Sequence, residues 1–191
     1  MTPQAPPYRP QNVRFFDQLS LAAVRSAVSN SRHFLRLTLS KWQAAFVEDD
    51  ALLIASELVT NAITATGILA EGPTWGELEK LDLVHVRLVG LEDSIVIEVW
   101  DVSEQVPVVQ EADAGAEGGR GLLLVRQLAE RWGFYATADG KVVWAELAVR
   151  PPQPTPPPRR ETPARTTATA GVSGQRLGFR PVTDFATWTF A

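Results

Sequence analysis

Glu57 and Asn61 are residue types that can act together on a phosphate-bearing ligand. They stand four positions apart in the mostly apolar segment 50–66, so a helix would place both side chains on one face, about one turn apart. An amide oxygen can hold Mg²⁺, which keeps several waters and bridges phosphates. A carboxylate can deprotonate a hydroxyl or a water. The alternative is that both side chains belong to a polar stripe that faces solvent.

Asp101 follows an alternating apolar segment, residues 94–100, that has the pattern of a buried strand. A carboxylate at the end of such a strand can accept a hydrogen bond from an exocyclic amine, such as that of adenine. One well-placed polar group in an apolar pocket is typical of sites that bind a small ligand. The alternative is that Asp101 only begins a turn, because aspartate favours turns.

A glycine-rich stretch, Gly118-Gly119-Arg120-Gly121, stands where a polar loop is expected to become a helix. Glycine lets the backbone approach a phosphate closely, and the free N–H groups at a helix N-terminus favour anions. Arg120 can add a phosphate contact. The alternative is a flexible loop that begins a helix and binds nothing.

The elements that would position these residues follow from apolar spacing. Helical spacing predicts three helices, over residues 28–42, 50–66 and 119–132, the second ending near Gly67. Alternation predicts four strands, over residues 83–89, 94–100, 134–137 and 142–149. Asp139-Gly140 predicts a two-residue hairpin between the last two strands.

This order of elements favours an α+β fold, a two-layer α/β sandwich with a mostly antiparallel mixed sheet and helices on one face. A doubly wound dinucleotide-binding fold is excluded, because helices and strands do not alternate and no G-x-G-x-x-G follows a first strand. Proline enrichment marks both ends of the chain. We therefore predict four regions: a flexible N-terminal segment (1–18), a folded domain (19–150), a Pro-rich linker (151–165) and a C-terminal tail without an assigned role (166–191).

Composition narrows the class of protein. The 191 residues carry a net charge of -4 and include no cysteine, so no disulfide forms and nothing suggests direct contact with nucleic acid. Two histidines argue against a His-rich zinc site. The N-terminus lacks the apolar run of a signal peptide, and no stretch approaches the roughly 20 apolar residues of a membrane span. We expect a cytoplasmic protein without a membrane contact.

Taken in order, these motifs resemble those of the GHKL ATPase superfamily, whose Bergerat fold binds ATP in such a sandwich. The segments that carry the resemblance are SELVTNA at 56–62, EVWD at 98–101, Pro107, EGGRGLLLV at 117–125 and KVVWAEL at 141–147. The resemblance spans about residues 28–149. It points to the anti-sigma-factor serine kinase branch, and especially to the small ATP-binding regulatory proteins of actinobacteria.

The resemblance implies ATP and Mg²⁺ as cofactors. It makes Asn61 the expected Mg²⁺ ligand, Glu57 the expected general base and Asp101 the expected adenine-reading residue. The residues expected beside the rest of the nucleotide are Gly119, Arg120, Gly121 and Leu122.

The function implied by the resemblance is an ATP-dependent regulator that holds a sigma factor, or a similar partner, and phosphorylates a serine or threonine of an antagonist protein. A homodimer is expected by analogy with relatives. Thr64-Ala65 stand where many relatives carry a basic or His pair. That difference leaves open a nucleotide-dependent partner-binding module without phosphotransfer. A third alternative is an interaction protein that binds no ligand.

Overall fold

The computed structural model describes residues 4–6, 8–67, 82–108 and 121–149 of the chain. These residues form helices α1 (Ser26–Lys41), α2 (Glu48–Thr66) and α3 (Gly121–Leu128). They also form strands β1 (Phe15–Ala22), β2 (Leu83–Gly90), β3 (Ser94–Asp101), β4 (Arg131–Thr137) and β5 (Gly140–Ala148). None of the described helices has the length and apolar character needed to cross a membrane.

The strands form one sheet in the order β1-β2-β3-β5-β4. Within the described residues every neighbouring pair is antiparallel. The predicted α+β sandwich is therefore confirmed, whereas the parallel component of the predicted mixed sheet is absent from these pairings. β5 lies between β3 and β4, so the beginning of β5 is placed directly beside the end of β3.

The main hydrophobic core lies between the helices and one face of the sheet, which we call the inner face. Strand side chains alternate between faces, so Ile95, Ile97 and Val99 of β3 point into this core together with Leu58 and Val59 of α2. Burying one such side chain stabilises the fold by roughly 1.5–3 kcal/mol. The inner face therefore fixes the position of α2 over β3.

Local sequence explains where α2 begins and ends. Glu48, Asp49 and Asp50 occupy its first turn, where negative charge interacts favourably with the helix dipole. The helix ends at Thr66, and the predicted stop at Gly67 is confirmed. A Cβ atom at Gly67 would overlap the carbonyl oxygen of Ala23, so glycine is required for this close approach.

The N-terminal part of the chain differs from the prediction. Residues 15–18, which were expected to be flexible, form the first half of β1, an edge strand that pairs with β2 and that the sequence patterns did not predict. Earlier residues also contact the sheet, because the Gln4 N–H donates to the carbonyl oxygen of Phe134 at 2.7 Å. Within the segment 1–18, residues 15–18 therefore pair with β2 and Gln4 is hydrogen-bonded to β4.

The third helix and the last hairpin differ from the prediction in their bounds. The described helix covers Gly121–Leu128, and Trp132, which was predicted to be helical, lies in β4. The cause is long-range pairing, because Trp132 stands opposite Ala145 in the sheet. The hairpin turn comprises residues 138–139, since Gly140 already belongs to β5. Residues 109–120 and 150–191, which include the linker and the tail, lie outside the described residues.

The opposite, outer face of the sheet holds a buried polar network. Arg87 and Glu98 are direct cross-strand neighbours on β2 and β3, and they form a hydrogen-bonded ion pair with side chains that are 8% and 0% exposed. The Tyr8 hydroxyl lies 3.1 Å from each carboxylate oxygen of Glu98. Arg87 also donates to the hydroxyls of Tyr8, at 3.1 Å, and Tyr135, at 3.4 Å. Tyr8 thus connects the N-terminal segment to the sheet.

Candidate functional site

A pocket of about 250 Å³ lies where α2, the end of β3, residues 105–108, the beginning of α3 and the beginning of β5 meet. Its apolar walls include Leu58, Ala62, Val99, Leu122 and Val143. Its polar lining includes Asn61, Thr64, Asp101 and Lys141. A larger cavity, of about 1080 Å³, lies by the β2–β3 turn, and none of the predicted site residues lines it. The smaller pocket is the candidate site, because the predicted residues converge there.

Helix α2 brings Asn61 to the pocket and Glu57 close to it. The side chain of Asn61 is exposed, lines the pocket and forms no hydrogen bond within the described part of the chain. Glu57 is half-buried one turn earlier on the same helix. A Cβ atom built on Gly121 would overlap Oε2 of Glu57, so the carboxylate lies against the backbone at the first residue of α3. A glycine at this position is what allows the contact.

Asp101 and Lys141 form a buried ion pair at the inner end of the pocket. They are direct cross-strand neighbours on β3 and β5, and alternation places both on the inner face, since Val99 and Val143 two residues away belong to the core. Lys141 Nζ lies 2.6 Å from Asp101 Oδ1. The two residues are 7% and 2% exposed. Such deep burial favours the pairing, because an isolated buried charge is costly.

One oxygen of Asp101 carries all of its hydrogen bonds within the described residues. Oδ1 accepts from Lys141 Nζ and, at 2.8 Å, from the backbone N–H of Ser103. Oδ2 has no such donor. Burial raises the pKa of Asp101, although the Lys141 ammonium and the Ser103 N–H offset part of this effect. An acceptor in a buried carboxylate that lines a pocket is suited to a donor on a ligand, because leaving it unpaired costs free energy.

Gly140 allows the last hairpin to pack tightly against the backbone at the end of β3. Its φ is +154°, and a Cβ atom there would overlap the backbone of Asp101 and Val102. Only glycine is compatible with both the backbone conformation and the close approach. Gly140 therefore keeps Lys141, the next residue, at a fixed position beside Asp101.

Comparison with known proteins identifies the family. Residues 19–147 match the family described as Histidine kinase-like ATPase domain. The chain belongs to this family. The superfamily predicted from the motifs is thereby confirmed. The matched residues of the histidine kinase-like ATPase domain begin within β1 and end within β5, so they include every residue that lines the pocket.

Among solved structures, the chain is similar to the RsbU and RsbW domains of Rv1364c from Mycobacterium tuberculosis. The two are 19% identical, with a TM-score of 0.44, and the match covers 71% of this chain and 33% of that one. The chain thus spans about a third of the length of that structure's chain. No curated protein matches the chain. The family assignment therefore rests on the match to the histidine kinase-like ATPase domain.

The geometry brings most of the predicted site residues together, and their roles remain predictions. Asn61, Asp101 and Leu122 line one pocket of the histidine kinase-like ATPase domain, and Glu57 contacts Gly121 beside it. Asp101 also begins a turn, as the alternative interpretation held, because its Oδ1 accepts the Ser103 N–H. The two interpretations are compatible, since they use different oxygens. Gly119 and Arg120 lie outside the described residues.

Lys141 is a pocket residue that the sequence patterns did not single out. It stands two positions before Val143, so alternation along a strand would have placed it on the core face. A lysine on a core face needs a buried partner of opposite charge. An inward-facing lysine could therefore have been used to predict a carboxylate on a neighbouring strand.

The described residues fit a Mg²⁺ ion that is coordinated mainly by the phosphates of a bound nucleotide and by water. No group of three or more His, Cys, Asp or Glu side chains within this part of the chain is arranged to hold a metal. Mg²⁺ commonly takes one or two protein oxygens and completes its shell with phosphates and water. The amide oxygen of Asn61, which has no hydrogen bond from the described residues, lies at the edge of the pocket and matches that requirement.

Proposed function

We propose that this chain is a cytoplasmic ATP-binding regulatory protein that acts as a serine/threonine protein kinase of the anti-sigma-factor type. The observation that carries the proposal is the buried carboxylate of Asp101, whose Oδ2 lacks a donor among the described residues in an apolar pocket that Asn61 also lines. Membership of the histidine kinase-like ATPase family supports the nucleotide. The motif resemblance to anti-sigma-factor kinases supports the kinase activity.

Asp101 would bind the base. Its free oxygen can accept a hydrogen bond from the exocyclic amine of adenine, and the apolar side chains of Val99, Leu122 and Val143 can pack against the ring. A few fixed polar groups in an otherwise apolar pocket give orientation and specificity. The base-binding end is therefore the inner end of the pocket, beside the Asp101–Lys141 pair.

Asn61, Glu57 and Gly121 would serve the phosphate end. Asn61 would hold Mg²⁺, which supplies positive charge against the phosphates when it is bound. Glu57 lies against Gly121 and would accept the proton of an attacking hydroxyl as a general base. The chain would contribute mainly positioning and electrostatic stabilisation, as is usual in phosphoryl transfer. Gly119 and Arg120 would complete the phosphate contacts.

The protein partner would be a sigma factor, an antagonist that carries the phosphorylated serine or threonine, or both, and a homodimer would be the working assembly. These proposals follow from the motif resemblance, which covers about residues 28–149. They include no direct contact with nucleic acid or with a membrane. A pull-down with purified sigma factors and candidate antagonists in the presence of ATP or ADP would identify the partner.

A second candidate is a nucleotide-dependent binding module without phosphotransfer. One turn beyond Asn61, the Thr64 hydroxyl donates to the carbonyl oxygen of Thr60 at 2.8 Å, and Ala65 follows. This part of the pocket wall therefore offers no positive charge to a phosphate. Nucleotide binding would remain, but the negative charge on the phosphates would be less well stabilised during phosphoryl transfer.

Glu57→Gln distinguishes these two candidates. The kinase predicts that the variant binds ADP with a dissociation constant within about twofold of the wild type. It also predicts that formation of ADP from Mg²⁺-ATP, with the phosphoryl group passing to a serine or threonine of an added candidate antagonist or to water, falls about 10²–10⁴-fold, the usual contribution of a general base. Binding is measured by calorimetric titration and ADP formation by single-turnover assay, both on the full chain.

Asp50→Asn is the matched control, because Asp50 is an exposed carboxylate near the beginning of the same helix. It should change neither quantity. ADP binding in the wild type without any turnover, even when the candidate antagonists are added, would favour the binding module. Equal turnover in the wild type and Glu57→Gln would show that Glu57 is not the base. Absence of ADP binding at millimolar nucleotide would reject both candidates.

A further inference from the structure

Lys141 has more hydrogen-bonding capacity than its ion pair uses. Its ammonium group carries three N–H donors. One is directed to Asp101 Oδ1 at 2.6 Å and another to the carbonyl oxygen of Ser103 at 3.0 Å. Lys141 forms no other hydrogen bond or ion pair with the described residues. One donor of a buried ammonium that lines the pocket is therefore left for a ligand.

This donor stands next to an acceptor that is also unused. Asp101 Oδ2 and Lys141 Nζ belong to one ion pair on neighbouring strands, so they are close neighbours on the wall of the same pocket. Both are held by the sheet register, by the Ser103 contacts and by the close approach at Gly140. Fixed groups bind a ligand with little cost of ordering. The wall therefore presents a rigid acceptor and donor side by side.

Adenine carries the complementary pair of groups on one edge. Its N6 amine, which is attached to ring carbon C6, is a donor, and ring nitrogen N1, which is bonded to the same carbon, is an acceptor. A wall that offered only a carboxylate would read the amine and leave N1 to water. A wall that also offers an ammonium can bind both groups. A buried charged donor that faced a ligand without an acceptor would pay for its desolvation without compensation.

We propose that Lys141 is a base-reading residue, whose third N–H donates to N1 of an adenine while Asp101 Oδ2 accepts from N6. The inference deepens the proposed function and rests on it. It assigns to Lys141 a direct contact with the ligand in addition to its pairing with Asp101. It also gives the pocket a two-point recognition of adenine, which depends on side chains from two different strands.

The test compares ADP with 1-deaza-ADP, in which N1 is replaced by C–H and the N6 amine is kept. Calorimetric titration of the full-length wild type should show that 1-deaza-ADP binds at least about tenfold more weakly, as expected for loss of a hydrogen bond to a charged donor. Lys141→Met should bind ADP more weakly than the wild type and should no longer distinguish the two nucleotides. Lys41→Met is the matched control, because Lys41 is 68% exposed and pairs with Asp17 outside the pocket. It should keep the wild-type preference.

The wild-type comparison needs no variant, so it can overturn the proposal even if Lys141→Met fails to fold. Equal binding of ADP and 1-deaza-ADP by the wild type would overturn the role of Lys141 and leave the proposed function intact. A preference that persists in Lys141→Met would assign N1 to another donor and would also overturn it. Absence of ADP binding by the wild type would reject the proposed function itself.

Discussion

The Arg87–Glu98 and Asp101–Lys141 ion pairs are both buried and both join neighbouring strands, but they differ in how completely their hydrogen bonds are made. On the outer face, both oxygens of Glu98 have a donor, and Arg87 also reaches the hydroxyls of Tyr8 and Tyr135. On the inner face, Asp101 Oδ2 and one N–H of Lys141 have no partner among the described residues. The hydrogen bonds of the outer pair are made with side chains of the sheet and of the N-terminal segment, whereas the inner pair lines a pocket.

Their hydrogen bonds suit the outer pair to a structural role and the inner pair to the ligand contact proposed above. Burial removes water from both pairs, and it raises the pKa of Glu98 as well as that of Asp101, so burial and pKa do not distinguish them. The two pairs are distinguished by the hydrogen bonds that the described residues leave unmade. A fully satisfied network makes a fold more specific and rigid, whereas a partly satisfied one is costly unless a ligand completes it. Breaking the outer pair should therefore lower the free energy of unfolding, whereas disturbing the inner pair should lower the affinity for ADP.

The largest effect is expected from Glu98→Gln, which leaves the Arg87 charge buried without a carboxylate. Removing one partner of a buried pair costs about 3–5 kcal/mol in the free energy of unfolding. Urea denaturation of the full chain measures this loss. In the folded fraction, the dissociation constant for ADP should stay within about twofold of the wild type, because Glu98 lies on the face of the sheet opposite the pocket.

Glu92→Gln is the control for loss of one carboxylate. Glu92 pairs with Arg14 at 3.5 Å, and both side chains are mostly exposed, so the variant should lose no more than about 1 kcal/mol. If Glu98→Gln and Glu92→Gln destabilised the protein equally, the outer pair would contribute no more than a surface contact. A large loss of ADP affinity in Glu98→Gln would contradict the division between the two faces.

The affinity for ADP should fall with acid because of Asp101. Burial raises the pKa of this carboxyl, so protonation begins at a higher pH than for an ordinary aspartate, whose pKa is about 3.9. Protonation removes the charge that accepts the amine. Below the raised pKa, affinity should drop by up to about tenfold per pH unit. Titration of ADP from neutral to acidic pH measures the effect.

Stability should respond to the same group with the opposite sign. The pKa of Asp101 in the folded state lies above its unfolded value, so its contribution to stability is full below the unfolded pKa and is lost as pH rises through the folded pKa. Asp101→Asn retains both histidines, which also titrate. The difference between the pH profiles of unfolding free energy of the wild type and this variant therefore reports Asp101 alone. If the free energy of unfolding varied with pH identically in the wild type and in Asp101→Asn, Asp101 would not control stability in this range.

Apolar spacing along the sequence predicted those helices and strands that have a strong apolar pattern or that pack against segments nearby in the sequence. Helix α2 was found from its apolar run and Gly67. Strand β1 was missed because it is an edge strand with mixed polarity, and only its pairing with β2 stabilises it. Trp132 was assigned to a helix because the pairing that places it in β4 involves a residue beyond the local window. Pairing between distant segments is invisible to a local pattern.

The site shows the same division. The spacing of Glu57 and Asn61 predicted that they share one helix face, and the motif resemblance predicted that Asp101 belongs to the same site. Lys141 was missed because its partner Asp101 is 40 residues earlier in the chain. Its inward position was readable from alternation with Val143, but the register of β3 against β5 was not. The sequence therefore predicted the polar positions that stand out within one segment better than the cross-strand partner that pairs with one of them.

The smallest effect is expected from Tyr8→Phe, which removes the hydroxyl that joins the N-terminal segment to the outer pair. That hydroxyl contacts both oxygens of Glu98 and accepts from Arg87, so its loss should cost about 1 kcal/mol in the free energy of unfolding. Affinity for ADP should not change. Tyr135→Phe is the matched control, because the Tyr135 hydroxyl accepts from Arg87 at the longer distance of 3.4 Å, and it should cost less. If Tyr8→Phe were as stable as the wild type, the N-terminal segment would add nothing to the outer network. The more complete hydrogen bonding of the Arg87–Glu98 pair would then stabilise the fold only through contacts within the sheet.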